Sequence, residues 1–186
     1  MQGFGDLPKD LPVPVDDGRC NHLPSLALPA LALPSTGGGS VRLDQLSGCV
    51  VLYCYPMTGR PGQALPPGWD QIPGARGCTP EACSFRDHYG ELQALKAQVF
   101  GLSAQKTEDQ REAAARLRLP FELLSDASLT FAEALRLPTF EVEGMRLIKR
   151  LTLIAKDGRV AKHFYPVFPP DKHIHEVLVW LQAHRT

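Results

Sequence analysis

The sequence predicts a three-layer α/β domain with a mixed central sheet, and three observations carry that expectation. Short apolar runs, CVVLYCY at 49–55 and VFGLSA at 99–104, alternate with helical periodicity; RLIKRLTLIAKDGRVAKHFY at 146–165 turns back at Asp157-Gly158; and an amphipathic stretch at 171–185 closes the chain. Strand, helix, strand, helix, strand, helix, hairpin and helix in that order bury their apolar faces best as helices on both sides of one sheet.

Taken from the start, residues 1–22 are rich in proline and glycine with little periodicity, so they are expected to form an arm, extended or disordered, ahead of a domain at 23–186. SLALPALALP (25–34) followed by GGGSVRLDQL (37–46) reads as a small hairpin at the edge of the sheet with a turn of helix after it. CVVLYCY is apolar without alternation, as in a strand buried on both faces. Residues 56–77 hold five prolines and five glycines, a long irregular loop with an insertion at about 57–75; loops of that length inside a compact domain are usually functional or mobile. From Thr79 the period becomes helical, with Pro80 suited to the first helical position. TEDQREAAARLRL (107–119) reads as a helix with Thr107 as N-cap and Gln110 completing a capping box. FELLSD (121–126) is a short strand and SLTFAEALRL (128–137) a further helix.

Composition excludes several classes of function. Lys plus Arg and Asp plus Glu are 20 each, so no overall positive field draws the chain to nucleic acid or an anionic membrane. No stretch has the roughly 20 apolar residues of a membrane span, and the opening residues lack the basic head and apolar run of a secretory signal, so the cytoplasm is the expected compartment. Five cysteines is an odd number in a chain too large to need stapling, which argues against a disulfide framework. Cys49 and Cys54 sit in the apolar run and read as core filler, while Cys20 has no obvious partner.

The stretch ARGCTPEACSFRDH (75–88) is different, because it places Cys78 and Cys83 in the opening turns of a helix. Unpaired N–H groups at a helix start favour the thiolate, the form in which a cysteine attacks. Peroxide would convert such a thiolate to a sulfenic acid, which a second thiol such as Cys83 can trap as a disulfide. In one regular α-helix five residues rise about 7.5 Å and turn roughly 140°, so the two sulfurs point apart beyond bridging range and the helix must unwind locally for a bond to form. The competing view is that Cys78 caps a turn and Cys83 is a buried helix residue. Other motifs carry less. His173 and His175 lie two apart on a helix and share no face, no second cysteine pair completes a zinc site, and the run Gly37-Gly38-Gly39 lacks dinucleotide-loop spacing. His175 and His184 read as solvated, Trp180 and Leu181 as core, and Arg86 and Asp87 as braces of the helix.

GCTPEACSFRDHYGEL (77–92) resembles the active-site segment of the peroxiredoxins, specifically the bacterioferritin comigratory protein or Q-type subfamily with its GCT-x2-AC-x2-RD pattern. The likeness continues through VFGLSAQ, LPFELLSD and KRLTLIAKDGRV and covers roughly residues 24–183. It implies a thioredoxin-like fold, Cys78 as the peroxidatic cysteine, Cys83 as the resolving one, peroxide as substrate, and thioredoxin or a similar dithiol protein as reductant. It implies neither metal nor organic cofactor, and a monomer or weak homodimer. The family also holds its thiolate with an arginine; Arg150 is preferred, although counting back from Gly158 without a gap puts Lys149 there, and strand alternation lets only one face the site.

The chain departs from the family pattern in two places. Gln71 and Ala75 stand where the family has a proline and a hydroxyl residue, seven and three positions before the reactive cysteine. Tyr55-Pro56, which corresponds to the family's tyrosine-proline pair, is separated from Cys78 by the insertion. Pro56, Thr58 and Gly77 are the expected substrate-binding residues, with Thr58 folding back to supply the missing hydroxyl. A non-catalytic redox sensor is the alternative from another class; a general disulfide oxidoreductase ranks below it, since C-x-x-C is absent.

Overall fold

A computed structural model describes residues 7–184 of the chain. Strands β1 (Ala32–Pro34) and β2 (Ser40–Arg42) pair antiparallel as the expected hairpin and lead into a 3-10 turn at Leu43–Gln45. The hairpin is a small sheet of its own, bridged through Ser35 and Leu124 to the main one. β3 (Cys49–Cys54) is followed by the long loop, then by α1 (Cys78–Asp87) and α2 (Tyr89–Ala94). β4 (Ala97–Ser103), α3 (Thr107–Leu117), β5 (Glu122–Ser125) and α4 (Thr130–Ala134) come next. A hairpin of β6 (Thr139–Val142) and β7 (Met145–Ile148), a second of β8 (Leu151–Lys156) and β9 (Arg159–Phe164), and α5 (His173–Ala183) complete it.

The main sheet runs β5-β4-β3-β8-β9, with β3, β4 and β5 parallel and β8 and β9 antiparallel to their neighbours, which is the mixed sheet expected. β3 is central, and its alternate residues enter two different cores. Val50, Leu52 and Cys54 pack with Leu23, Leu33, Phe131 and Leu135 on one face. Val51 and Tyr53 pack with Phe85, Leu92, Leu117, Ile174 and Leu178 on the other, so α1, α2, α3 and α5 cover that side. Both faces are buried, which is why the strand is apolar at every position. Parallel β3 and β4 end on the same edge, and there the loop into α1 begins.

Several expectations need correction. α1 begins at Cys78, so Pro80 occupies the third helical position; its missing N–H costs nothing there, because the first-turn amides have no intrahelical acceptor. The helical stretch expected from Thr79 onward breaks at His88 into α1 and α2. The capping box at Thr107 does not form: α3 is capped at Lys106 without a side-chain bond. Gln110 turns inward instead, donating to Ser103 Oγ at 3.0 Å and to the Leu124 carbonyl at 2.7 Å. The β6–β7 hairpin was not anticipated. Its strands have four residues each and turn at Glu143-Gly144, a weaker signature than the Asp-Gly of the neighbouring hairpin. Of the arm, residues 1–6 lie outside the described residues, and residues 7–22 contain neither helix nor strand. Cys20 is buried among the leucines of the first core, which gives this cysteine a packing role and pushes its thiol pKa up to about 12 through burial.

The β8–β9 turn is the tightest test of the register. Asp157 and Gly158 both have positive φ, 47° and 75°, and a Cβ at Gly158 would stand 2.6 Å from the Asp44 carbonyl oxygen. Gly158→Ala is expected to cost about 1–3 kcal/mol, through strain at a left-handed position plus a backbone clash. A fall in the urea midpoint with an unchanged slope checks this; an unchanged midpoint would mean that the turn packs differently.

Candidate active site

The loop after β3 returns to the sheet edge at Gly74–Gly77 and starts α1. Gly77 is the N-cap with φ 111°, and a Cβ there would lie 2.4 Å from Pro170 Cγ, so glycine is required for both conformation and space. That turn puts Cys78 in the first helical position, where the residue is only 4% exposed.

Arg150, in the short link between β7 and β8, reaches across to this turn. Its Nη2 donates to Cys78 Sγ at 3.1 Å and to the carbonyls of Ala75 and Arg76 at 3.1 and 3.3 Å, and its Nε donates to the Gly74 carbonyl at 3.2 Å. Nη1 donates to Glu81 Oε2, and both of these side chains are essentially inaccessible. Planarity makes this possible: one rigid fork can grip three consecutive carbonyls, a sulfur and a carboxylate, which an ammonium could not. Lys149, the other candidate, points away and pairs with Asp17 at 3.5 Å.

Competing influences act on the Cys78 thiol. Burial is the largest influence and the Glu81 charge adds to it, both pushing the pKa up; the Arg150 charge and hydrogen bond and the nearby Met57 backbone N–H pull it down, and the balance leaves the thiol above its ordinary value. The helix start by itself therefore does not hold a thiolate, and Arg150 is the group that opposes burial. Glu81 is raised from 4.5 to about 7, again chiefly by burial, with Arg150 opposing. At three residues from Cys78 it shares the same helix face, and its Oε1 has no partner.

Of the residues expected at the site, Cys78, Arg150 and Gly77 come together, and Pro56 is buried beside Met57. Thr58 departs from expectation: its hydroxyl and its N–H both donate to Gln105 Oε1, at 3.2 and 2.9 Å, and Gln105 Nε2 donates back to the Thr58 carbonyl. The residue thus fixes the chain next to the Met57 amide and offers no hydrogen bond to the sulfur. At Ala75 a buried methyl stands in place of the family's hydroxyl, and its carbonyl accepts from Arg150. Cys83 is half-buried on α1, free like Cys78, with burial raising its pKa. Arg86 braces α1 as expected, donating to the Leu117 carbonyl at 2.7 Å. His175 is exposed and Leu181 buried, while His173 is a core residue bonded to Thr152 Oγ1 at 2.8 Å.

Sequence reasoning missed three contributors: Glu81, the Met57 amide, and the carbonyls of residues 74–76. The Cys-x2-Glu spacing on one helix face was the available signal for the first. The insertion also acquires a structure. Trp69, Leu65 and Ile72 pack with Phe140, Val142 and Leu147 over Ala75, forming a small third core beside the site.

The Glu81 proton has a consequence for stability. The folded chain holds it up to about 7, whereas an unfolded glutamate releases it near 4.5, so stability from this group is full at low pH and is lost as pH rises through that window. Glu81→Gln mimics the protonated acid. Urea midpoints at about pH 5 and about pH 8 are expected to show wild type losing stability relative to Glu81→Gln at the higher pH; parallel behaviour of the two proteins would contradict the raised pKa.

Comparison with known proteins places this geometry. The family model described as Redoxin matches residues 23–178. The chain is 31% identical over 156 residues to the chloroplastic peroxiredoxin Q of Gentiana triflora, covering 83% of this chain and 64% of that relative, and thus less than two thirds of its length. It is also 31% identical to the chloroplastic peroxiredoxin Q of Sedum lineare, covering 83% and 75%. Among solved structures it resembles peroxidoxin BcpB from Mycobacterium tuberculosis, with TM-score 0.72, 29% identity, and 89% of this chain and 100% of that one covered. It resembles Xanthomonas campestris peroxiredoxin Q with TM-score 0.69, 25% identity and coverage of 87% and 98%. These are thioredoxin-like folds, as the sequence led us to expect. With a family match running from Leu23 into α5 and relatives of one type on either side of it, the chain belongs to the redoxin family, as a peroxiredoxin of the Q type.

Proposed function

We propose that the protein is a thiol-dependent peroxidase acting on hydrogen peroxide and organic hydroperoxides, with Cys78 as the peroxidatic cysteine and Cys83 as the resolving one. The observation that carries this reading is the Arg150 Nη2 contact to the buried Cys78 sulfur at 3.1 Å. A guanidinium there favours the thiolate and presents a preorganised donor to a peroxide oxygen, where it is worth most because water is excluded.

In the first step the Cys78 thiolate attacks the terminal, OH-bearing oxygen of ROOH. The S–O bond forms and the O–O bond breaks, the sulfur keeps the OH as a sulfenic acid, and the departing alkoxide takes up the proton released when the Cys78 thiol ionised and leaves as ROH; the sulfur is oxidised and the peroxide reduced. Negative charge develops on the departing oxygen, within reach of Arg150 and the Met57 amide. In the second step the Cys83 thiol displaces water from the sulfenic acid to give a disulfide. Both residues belong to α1, so its first turns must open before the sulfurs meet. A dithiol protein of the thioredoxin kind then reduces the bond and returns two thiols. The cycle calls on no metal or organic cofactor, and the enzyme works as a monomer or weak homodimer in the cytoplasm or another reducing compartment. Among the described residues no helix is long and apolar enough to cross a membrane.

A redox sensor that oxidises without turning over is the second reading, favoured by the methyl of Ala75 and by Thr58 being committed to Gln105. Turnover separates the two. With thioredoxin, thioredoxin reductase and NADPH, wild type is expected to consume peroxide continuously, Cys78→Ser to consume none, and Cys83→Ser to stop after one equivalent per chain. Stoichiometric oxidation of wild type without turnover would replace the peroxidase reading by the sensor.

A further inference from the structure

The arm ahead of the domain lies against the turn that begins α1. Leu7 Cδ2 would stand 3.0 Å from a Cβ at Gly77, and Pro14 Cβ and Cγ 3.7 Å from one at Gly74, so the arm touches both ends of the stretch that carries Ala75 and Arg76. Beside Gly74, Val13, Pro14 and Val15 share the wall of one hollow with Ile72 and Arg150. Arg150 grips the carbonyls of this turn from the buried side. The arm, with Val13 and Val15 exposed, covers it from the solvent side.

The two ends of the arm are held differently. At its base Cys20 and Leu23 are buried in the first core, and His22 Nε2 donates to the Leu135 carbonyl at 2.8 Å. Ahead of the base, among the described residues, no backbone hydrogen bond ties residues 7–17 to the rest of the chain. The Asp17–Lys149 pair at 3.5 Å joins the two, but its side chains are 36% and 34% exposed, where an ion pair contributes little. Gly18, with φ 74°, sits between the fixed base and the loosely seated part, at a conformation natural to glycine. A segment with few buried contacts and no backbone ladder opens at low cost. The arm precedes the residues matched by the family model, 23–178, and so stands apart from the machinery which that match covers.

We propose that the arm is a strap over the turn at 74–77, that it must lift before the first turns of α1 open, and that it thereby sets the rate at which Cys83 reaches the Cys78 sulfenic acid. The proposal rests on the peroxidase reading above and adds a control to its second step. The chemistry of that step is unchanged: the Cys83 sulfur bonds to the Cys78 sulfur, the S–O bond breaks, and the OH leaves as water with the Cys83 proton. The first hydrogen bond of α1 runs from the Glu81 N–H to the Gly77 carbonyl at 3.0 Å, and Leu7 rests on Gly77. A seated arm therefore holds in place the residue that accepts that bond. Lifting it returns the apolar surfaces of Leu7 and Pro14 to water, so every contact the arm makes on the turn favours the closed state over the open one.

The test uses the full chain carrying Leu7→Gly, Pro14→Gly and Asp17→Lys together, which removes the two apolar contacts and sets Lys149 against a like charge. Rapid mixing of the reduced protein with hydrogen peroxide separates sulfenic acid formation, whose rate rises with peroxide concentration, from disulfide formation, whose rate does not. The variant is expected to form the disulfide about fivefold faster or more, with the sulfenic acid step held within about twofold, which also shows that it is folded. An unchanged or slower disulfide step overturns the proposal, and so does equal acceleration of both steps, which would make the arm a cover over the sulfur. Amide hydrogen exchange of the reduced protein, followed by NMR, gives a readout independent of peroxide: the amides of Glu81, Ala82 and Cys83 are expected to exchange about fivefold faster in the variant while those of β3 keep their rates. Equal exchange in the two proteins overturns the proposal. If wild type forms no disulfide, the peroxidase reading fails on its own account, and the exchange measurement still decides whether the arm restrains α1.

Discussion

One guanidinium organises the site. Arg150 is buried beneath the carbonyls of Gly74, Ala75 and Arg76 while touching both the Cys78 sulfur and the Glu81 carboxyl. A buried cation is tolerated only when its donors are all used, and this one uses them to fix the turn that begins α1. The same contacts that satisfy the arginine therefore aim the thiol. Where the family places a hydroxyl three residues before the cysteine, this chain has a methyl and a carbonyl, and the arginine binds the carbonyl. Shape is supplied by the backbone instead of by a side chain.

The cation serves two potential anions in a space with little water. Burial raises both the Cys78 and the Glu81 pKa, and Arg150 lowers both. At an effective dielectric of about 20, opposite charges roughly 4 Å apart attract by about 4 kcal/mol, enough to offset much of the burial of one anion but not of two. Charge on the sulfur and charge on Glu81 are thus in competition. A Glu81 proton retained to about 7 leaves more of the arginine's field to the sulfur. A site that binds its reactive group this tightly must also let it go, because Cys83 lies on the same helix and a disulfide needs its first turns undone. The insertion, with Trp69 and Ile72 packed on the β6–β7 hairpin, lies along the border of the part that has to move.

Much of this was legible in the residues, and what was not has physical reasons. β3 declared itself because both of its faces are buried, so its sequence is apolar without alternation. A helix start near Cys78 was legible from glycine and proline punctuation, although Pro80, read as the first helical position, is the third, and the helix begins two residues earlier. Arg150 and Lys149 could not be separated by counting, since one register step exchanges the inside for the outside; only the packed structure commits Lys149 to Asp17. Glu81 was hidden because an acid in the first turn of a helix usually complements the dipole at the surface, and here it is buried. Gln110 and Thr58 were misjudged for a shared reason: their partners, Leu124 for one and Gln105 for the other, are brought near by the sheet and leave no local pattern.

The central claim is that Arg150 offsets part of the burial penalty at Cys78 and holds the pKa of its thiol below where burial alone would put it. Its most direct measurement is the pH dependence of Cys78 alkylation by iodoacetamide, followed by peptide mass in wild type, Arg150→Lys and Arg150→Met. The account predicts a midpoint lower in wild type than in Arg150→Met by at least about one pH unit, with Arg150→Lys between them. Equal midpoints in all three proteins would contradict it.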